Sequence, residues 1–283
     1  MLCLLLAVPH AGRGQDSTQL DPGRAAVVGA TVLSAVVAVH IYQRDAWWQG
    51  EWQPFRFEND WQYALNIDKF GHTFGAYTES KLARSVLSWT GFSRSASLFY
   101  GSLIGLSYQM YVEVEDGYHK TYGFSPGDAF SNIIGASLPL AQESIPLLSH
   151  FSMKYSYWPS SNYLNALQTN QFRTFIDDYE GTIFWITCDP HFLLPRGLAE
   201  DLPPWIGISL GLAVHHLNEN GGGDRLYYLT ADYNFSKIPT ESGFLRALFG
   251  ALDFFHLPAP GIGIEDGRLH VGVYYTYHAK LSL

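Results

Sequence analysis

Asp68-Lys69-Phe70-Gly71-His72 opens the stretch whose reading decides the fold, and it runs on through Gly75 to Glu79. A second apolar segment ends Gln109-Met110-Tyr111-Val112-Glu113-Val114-Glu115-Asp116. A third begins Ser125-Pro126-Gly127-Asp128 and continues through Asn132 and Gly135. Residues at i, i+4, i+7 and i+11 share one face of a helix. Asp68, His72, Gly75 and Glu79 have that spacing, as do Gln109, Glu113 and Asp116. Asp128, Asn132, Gly135 and Pro139 repeat it. The pattern predicts helices over about 66–89, 93–115 and 126–143, each apolar with one polar edge. Ionisable groups inside an apolar bundle are costly unless paired, so the three edges are expected to face one another.

Working outward, Ala25 to Tyr42 is nearly continuous apolar sequence. It is close to the ~20 residues that a membrane helix needs, and it also suits a helix buried in the bundle. Residues 1–17 (Met1 to Ser17), with the apolar run Leu2 to Val8, resemble the end of a secretory signal peptide without its basic start. Cys3 does not follow a Leu-Ala-Gly-type stretch, which argues against lipid attachment there. Between these segments and the central helices lies an aromatic cluster: Trp47, Trp48, Trp52, Phe55, Phe57 and Trp61. Such a cluster fits a membrane-interface belt and equally an aromatic loop over a core.

The 283 residues allow one large domain or two small ones. Aromatics are 16% and charged residues only 15%, below the usual ~25%, which points to a membrane surface or a very apolar interior. The net charge of −9 argues against nucleic acid, because phosphate binding needs a basic face. With Cys3 and Cys188 the only cysteines, no disulfide framework is expected.

From about Ser149 the period changes from 3.6 to two. Gly181–Cys188, Trp205–Leu217, Leu226–Phe235 and Leu269–Leu283 alternate, and Ser242 to Phe255 reads as a helix. In the second of these runs Ile206, Ile208, Leu210 and Leu212 fall on one face, and Gly207, Ser209 and Gly211 on the other. The turn Asn218 to Asp224 predicts a hairpin. The expected architecture is therefore α+β. An N-terminal bundle of about four helices (24–147) precedes an antiparallel sheet of four to six strands with one inserted helix (148–283), packed on the bundle. Bulky residues outward and small ones inward also mark an outer-membrane barrel, which needs at least ~8 strands. Fewer are counted, so a curved sheet is expected.

The order Asp68-Lys69-x-x-His72, Glu113-x-x-Asp116 and Phe124-Ser125-x-x-Asp128 with Gly135 resembles an uncharacterised bacterial family, the YfiM-like periplasmic lipoproteins. The match covers about residues 66–140, and the later Asp178-Tyr179-Glu180-Gly181 is similar to longer members. A weaker similarity joins the Asp-Lys-x-x-His start and the Asp-x-x-x-Asn-x-x-Gly helix to VanZ-like membrane proteins. The resemblance implies export to the periplasm or outer membrane of a Gram-negative-type bacterium, and brings no activity with it.

Asp68, Lys69, His72, Glu113, Asp116 and Asp128 form the candidate polar cluster. One function they suit is acid–base chemistry at shifted pKa values. Another is a divalent metal held by His72, Glu113, Asp116 and Asp128. The spacing lacks the specificity of a His-Glu-x-x-His zinc helix. A buried hydrogen-bonded network is favoured, with Lys69 neutralising carboxylates, His72 bridging helices and Asp128 capping its own helix. His215 and His216, adjacent in a strand, are expected to face opposite ways. His119-Lys120 reads as a solvated loop, and Cys188 as inert. The function expected is that of a cell-envelope protein, binding or structural, with membrane, lipid or other envelope proteins as partners. The alternative is an envelope enzyme, metal-dependent or acid–base, acting on a lipid or glycan.

Overall fold

The structure is a computed structural model that describes residues 18–169, 174–218, 222–265, 267–276 and 280–282. The signal-peptide segment 1–17, with Cys3, lies outside the described residues, as does the hairpin tip 219–221.

The N-terminal half holds α1 (Pro22–Ala46), α2 (Ile67–Trp89), α3 (Arg94–Gly117) and α4 (Pro126–Ser144). Their starts are set by local chemistry. Asp21, Ser93 and Ser125 each accept a backbone N–H from the first turn of α1, α3 and α4, and Pro22 and Pro126 sit where no helical N–H is needed. α2 packs against both α3 and α4. Close approach depends on small residues: a Cβ on Gly135 would lie 2.1 Å from the Thr73 carbonyl oxygen. α1 stands apart. Of its residues only Gln43 is buried, and it is the one described helix long and apolar enough to cross a membrane.

The second half is one antiparallel sheet in sequence order. Its strands are β1 (Phe151–Tyr157), β2 (Thr182–Cys188), β3 (Ile206–His215), β4 (Asp224–Tyr233), β5 (Ala259–Glu265), β6 (Arg268–Tyr274) and the short β7 (Lys280–Ser282). The architecture is α+β, as the periodicities indicate. The expected inserted helix is α7 (Gly243–Leu252), between β4 and β5. Two shorter helices, α5 (Ser161–Gln168) and α6 (Arg196–Asp201), occupy the β1–β2 and β2–β3 connections. The alternating run Leu269–Leu283 is not one strand: it bends at Tyr275 and Thr276, where the Tyr275 carbonyl accepts the Ser156 hydroxyl.

Two cores meet at the sheet. Ile183, Trp185, Ala213, Leu226, Tyr228 and Tyr274 pack on its inner side. On the other side Phe184 and Val214 meet Ala64 and Ile67, with Phe70, Phe74, Tyr155 and Leu212 around them. The chain enters α2 through Ala64, Leu65 and Asn66, all at positive φ, a conformation disfavoured for residues with a Cβ. Arg225 of β4 holds this turn, donating to the Leu65 carbonyl at 3.1 and 3.2 Å and to Asn66 Oδ1 at 2.7 Å. The sheet thus fixes the angle at which Asp68 and Lys69 enter the bundle.

Candidate functional site

The first turn of α2 places Asp68 and Lys69 inside the bundle, both buried. The Lys69 ammonium lies 2.9 Å from Asp60, 2.9 Å from Asp68 and 2.6 Å from Asp128. One helical turn on, His72 lies between the three helices. Its Nδ1 is 3.2 Å from Asn132 Oδ1 and 3.5 Å from Glu113 Oε1, and its Nε2 is 3.7 Å from both Asp68 and Asp128. Glu113 accepts the Ser125 backbone N–H, and the Ser125 hydroxyl donates to Asp60. Tyr179, just before β2, donates its hydroxyl to Asp68 at 2.7 Å. Beyond His72 on the same face, Glu79 accepts from Gln109 at 2.7 Å.

Burial and pairing pull against each other. Burial opposes the charge on Lys69 and His72, yet the surrounding carboxylates outweigh it, led by Asp68 in each case, and both stay protonated above their ordinary values. Asp68, although buried, is held below the usual carboxylate range by His72 and Lys69. Burial wins for the rest: Glu79 and Glu113 are pushed up to about 8, Asp128 to about 7 and Asp116 to about 6. The cluster therefore balances two cations against carboxylates that differ in their readiness to ionise.

Asp68, Lys69, His72, Glu113 and Asp128 converge. Asp116 stands apart, accepting the Trp48 indole N–H at 2.6 Å. Ligand atoms of Asp68, His72 and Asp128 lie within 4.8 Å of one another, a spacing a metal ion could share. The Lys69 ammonium, however, already contacts two of these three. The cluster is largely enclosed: Gly127 at the start of α4 lies against Trp61 and the Lys69 stem, and Glu113 and Asn132 are almost fully buried, while the side chains of His72 and Asp60 keep exposures of 20% and 23%. Glu113 Oε1 and Asn132 Nδ2 have no hydrogen-bond partner among the described residues.

Asp60 and Tyr179 escaped the sequence reading. One lies in the aromatic loop and the other 111 residues from its partner, so neither falls in any helical period. Asn132 was legible, one turn after Asp128 on the same face. His119 is not in a solvated loop: it is buried beside Trp48 and Trp52. The His215 and His216 rings do not face opposite ways, because His216 leaves the strand at positive φ and brings the two centroids to 3.9 Å.

No curated protein and no solved structure matches the chain. The VanZ-like similarity is not shown by these comparisons, whereas a family match falls on the helices that build the site. An exported protein of the envelope, associated with a membrane, agrees with that family's description and with the apolar helix α1 near the N-terminus. Residues 56–142, from the aromatic loop through α4, match DUF2279, a family described as predicted periplasmic lipoprotein.

Proposed function

We propose that this chain is a membrane-bound scaffold of the cell envelope, binding lipid or another envelope component, and that its polar cluster holds the helices in register. The observation that carries this reading is the position of Lys69. Its ammonium sits among Asp60, Asp68 and Asp128, where an added cation would otherwise go. A buried ion network of this kind selects one helix arrangement and needs no substrate. α1, apolar from Ala25 to Val39 and with Gln43 its one buried residue, supports attachment to a bilayer.

A second reading treats Asp68, His72 and Asp128 as a divalent-metal centre, with Glu113 beside them, in an enzyme of the envelope. The 4.8 Å grouping favours it. Thermal unfolding separates the two. The scaffold reading expects His72→Ala to lower the melting temperature clearly, and expects zinc, manganese or a chelator to leave the wild-type transition in place. A wild-type transition that moves up with metal and down with chelator, and loses that response in His72→Ala, would establish the metal centre instead.

A further inference from the structure

The outer face of the sheet is apolar where water would favour polar residues. One row crosses five strands in register: Ile186, Leu210, Leu229, Ile262 and Val271. The next row runs Phe184, Leu212, Tyr227, Ile264 and Leu269. Ile208 adds to the same face. α2 covers Phe184 and Leu212, but Ile208, Leu210, Tyr227, Leu229, Ile264, Leu269 and Val271 are exposed. Among the described strand residues that point this way only Arg225 is charged, and it lies at the end of β4 against the bundle. The opposite face carries the polar groups. Lys154 pairs with Asp232 at 3.2 Å, and Thr187 and Ser209 donate to the same carboxylate at 2.6 Å each. A soluble antiparallel sheet with one solvated face alternates the other way, apolar in and polar out.

Three further features say what covers this face. First, its ends are marked. Trp205, Tyr233 and Phe235 form an aromatic group at the start of β3 and end of β4, stacked on toward Phe249 of α7. α7 buries none of its residues and exposes Phe244, Leu245 and Leu248, as a helix lying at a lipid headgroup level does. Second, the apolar band from Ile206 to Leu212 rises about 20 Å at ~3.3 Å per residue, near the ~25 Å band of outer-membrane barrels. Third, the edge of β1 is bridged at its middle. Tyr155 exchanges backbone hydrogen bonds with Phe254 and His256 at 3.0 Å each, which removes two of the unpaired groups that hydrocarbon penalises.

We infer that the outer face of β2–β6, bounded by α7 at one end and the helical bundle at the other, is a lipid-facing wall seated in the acyl region of a bilayer. This rests on the membrane association proposed above, but adds a second contact, independent of α1.

The test uses the full chain with Cys3→Ser and Cys188→Ser, reconstituted in phosphatidylcholine–phosphatidylglycerol vesicles. The environment-sensitive fluorophore NBD is attached at Leu210→Cys, at Ile262→Cys, or at Ala30→Cys in α1. Near-UV circular dichroism identifies labelled variants that keep the native fold, and Ile262→Cys stands in if Leu210→Cys does not. The expected result is blue-shifted emission from the sheet label and loss of most of it when the acyl chains carry bromine. Quenching at Ala30 with water-like emission at Leu210 or Ile262 overturns the inference and leaves membrane association standing. Blue-shifted emission that bromine does not quench also overturns it, because a second copy or a protein partner would then cover the face. Failure of the chain to float with vesicles removes the membrane association itself.

Discussion

The carboxylates around His72 give the fold a pH dependence whose sign can be worked out. Glu79 and Glu113 rise from an ordinary 4.5 to about 8 on folding. Between those values the folded state holds more protons than the unfolded one, so stability falls as pH rises through the window. His72 acts in the same direction, because its raised value gives stability that is present below 6.5 and lost above the folded value. Asp68, held low, opposes this only at the acid end, where its stabilisation is lost as pH falls below 3.8. The urea midpoint of unfolding is therefore expected to be higher near about pH 5 than near about pH 8. Glu79→Gln, which keeps a partner for Gln109, should narrow that gap. A midpoint that rises steadily to alkaline pH would contradict the burial of these groups. Most of this site was legible from single residues at helical spacing. Asp60 and Tyr179 were not, because a loop carboxylate and a phenol from the other half of the chain reach the cluster only through tertiary folding.

The helices depend on close approach at a few glycines, and this gives a paired test. At Gly135 a methyl group meets the Thr73 carbonyl oxygen at 2.1 Å, whereas at Gly29 of α1 nothing lies within 4 Å. Gly135→Ala is expected to destabilise by about 1–3 kcal/mol through overpacking, and Gly29→Ala to leave the denaturation midpoint unlowered. Equal effects at both sites would mean that α4 does not lie against α2 as described. The element boundaries were largely readable, since Ser93, Ser125 and Pro126 punctuate the chain in ways that survive folding. β1 was not read as a strand although Phe151 to Tyr157 alternates apolar and polar; what the alternation does not show is that Lys154 and Ser156 reach Asp232, the Tyr233 carbonyl and the Tyr275 carbonyl far along the chain. The single run at Leu269–Leu283 was misjudged because β7 pairs antiparallel with β6. Alternation marks an extended chain but not the point at which it reverses.

At the scale of the whole molecule, each half buries polar groups beside its apolar core and also leaves large apolar side chains exposed. α1 makes the simplest prediction. Val32 and Val36 are exposed, and a charge at mid-membrane costs ~2.5–3.5 kcal/mol per residue. Val32→Arg with Val36→Arg should therefore draw α1 out of the acyl region, so that NBD at Ala30→Cys emits as it does in water, while emission unchanged by the two arginines would show that α1 does not cross the bilayer. The α+β division was visible in the switch of period near Ser149. The joining of the halves was not, because Arg225 grips a left-handed turn at Leu65 and Asn66 that no periodicity announces. On the scaffold reading proposed above, the assembly is ordered by the ammonium of Lys69, buried among Asp60, Asp68 and Asp128. The most direct measurement is the unfolding free energy of Lys69→Met in urea. Removal of one partner from a buried ion network is expected to lower it by about 3–5 kcal/mol; a variant as stable as wild type, or more so, would show that the cluster does not hold the bundle together.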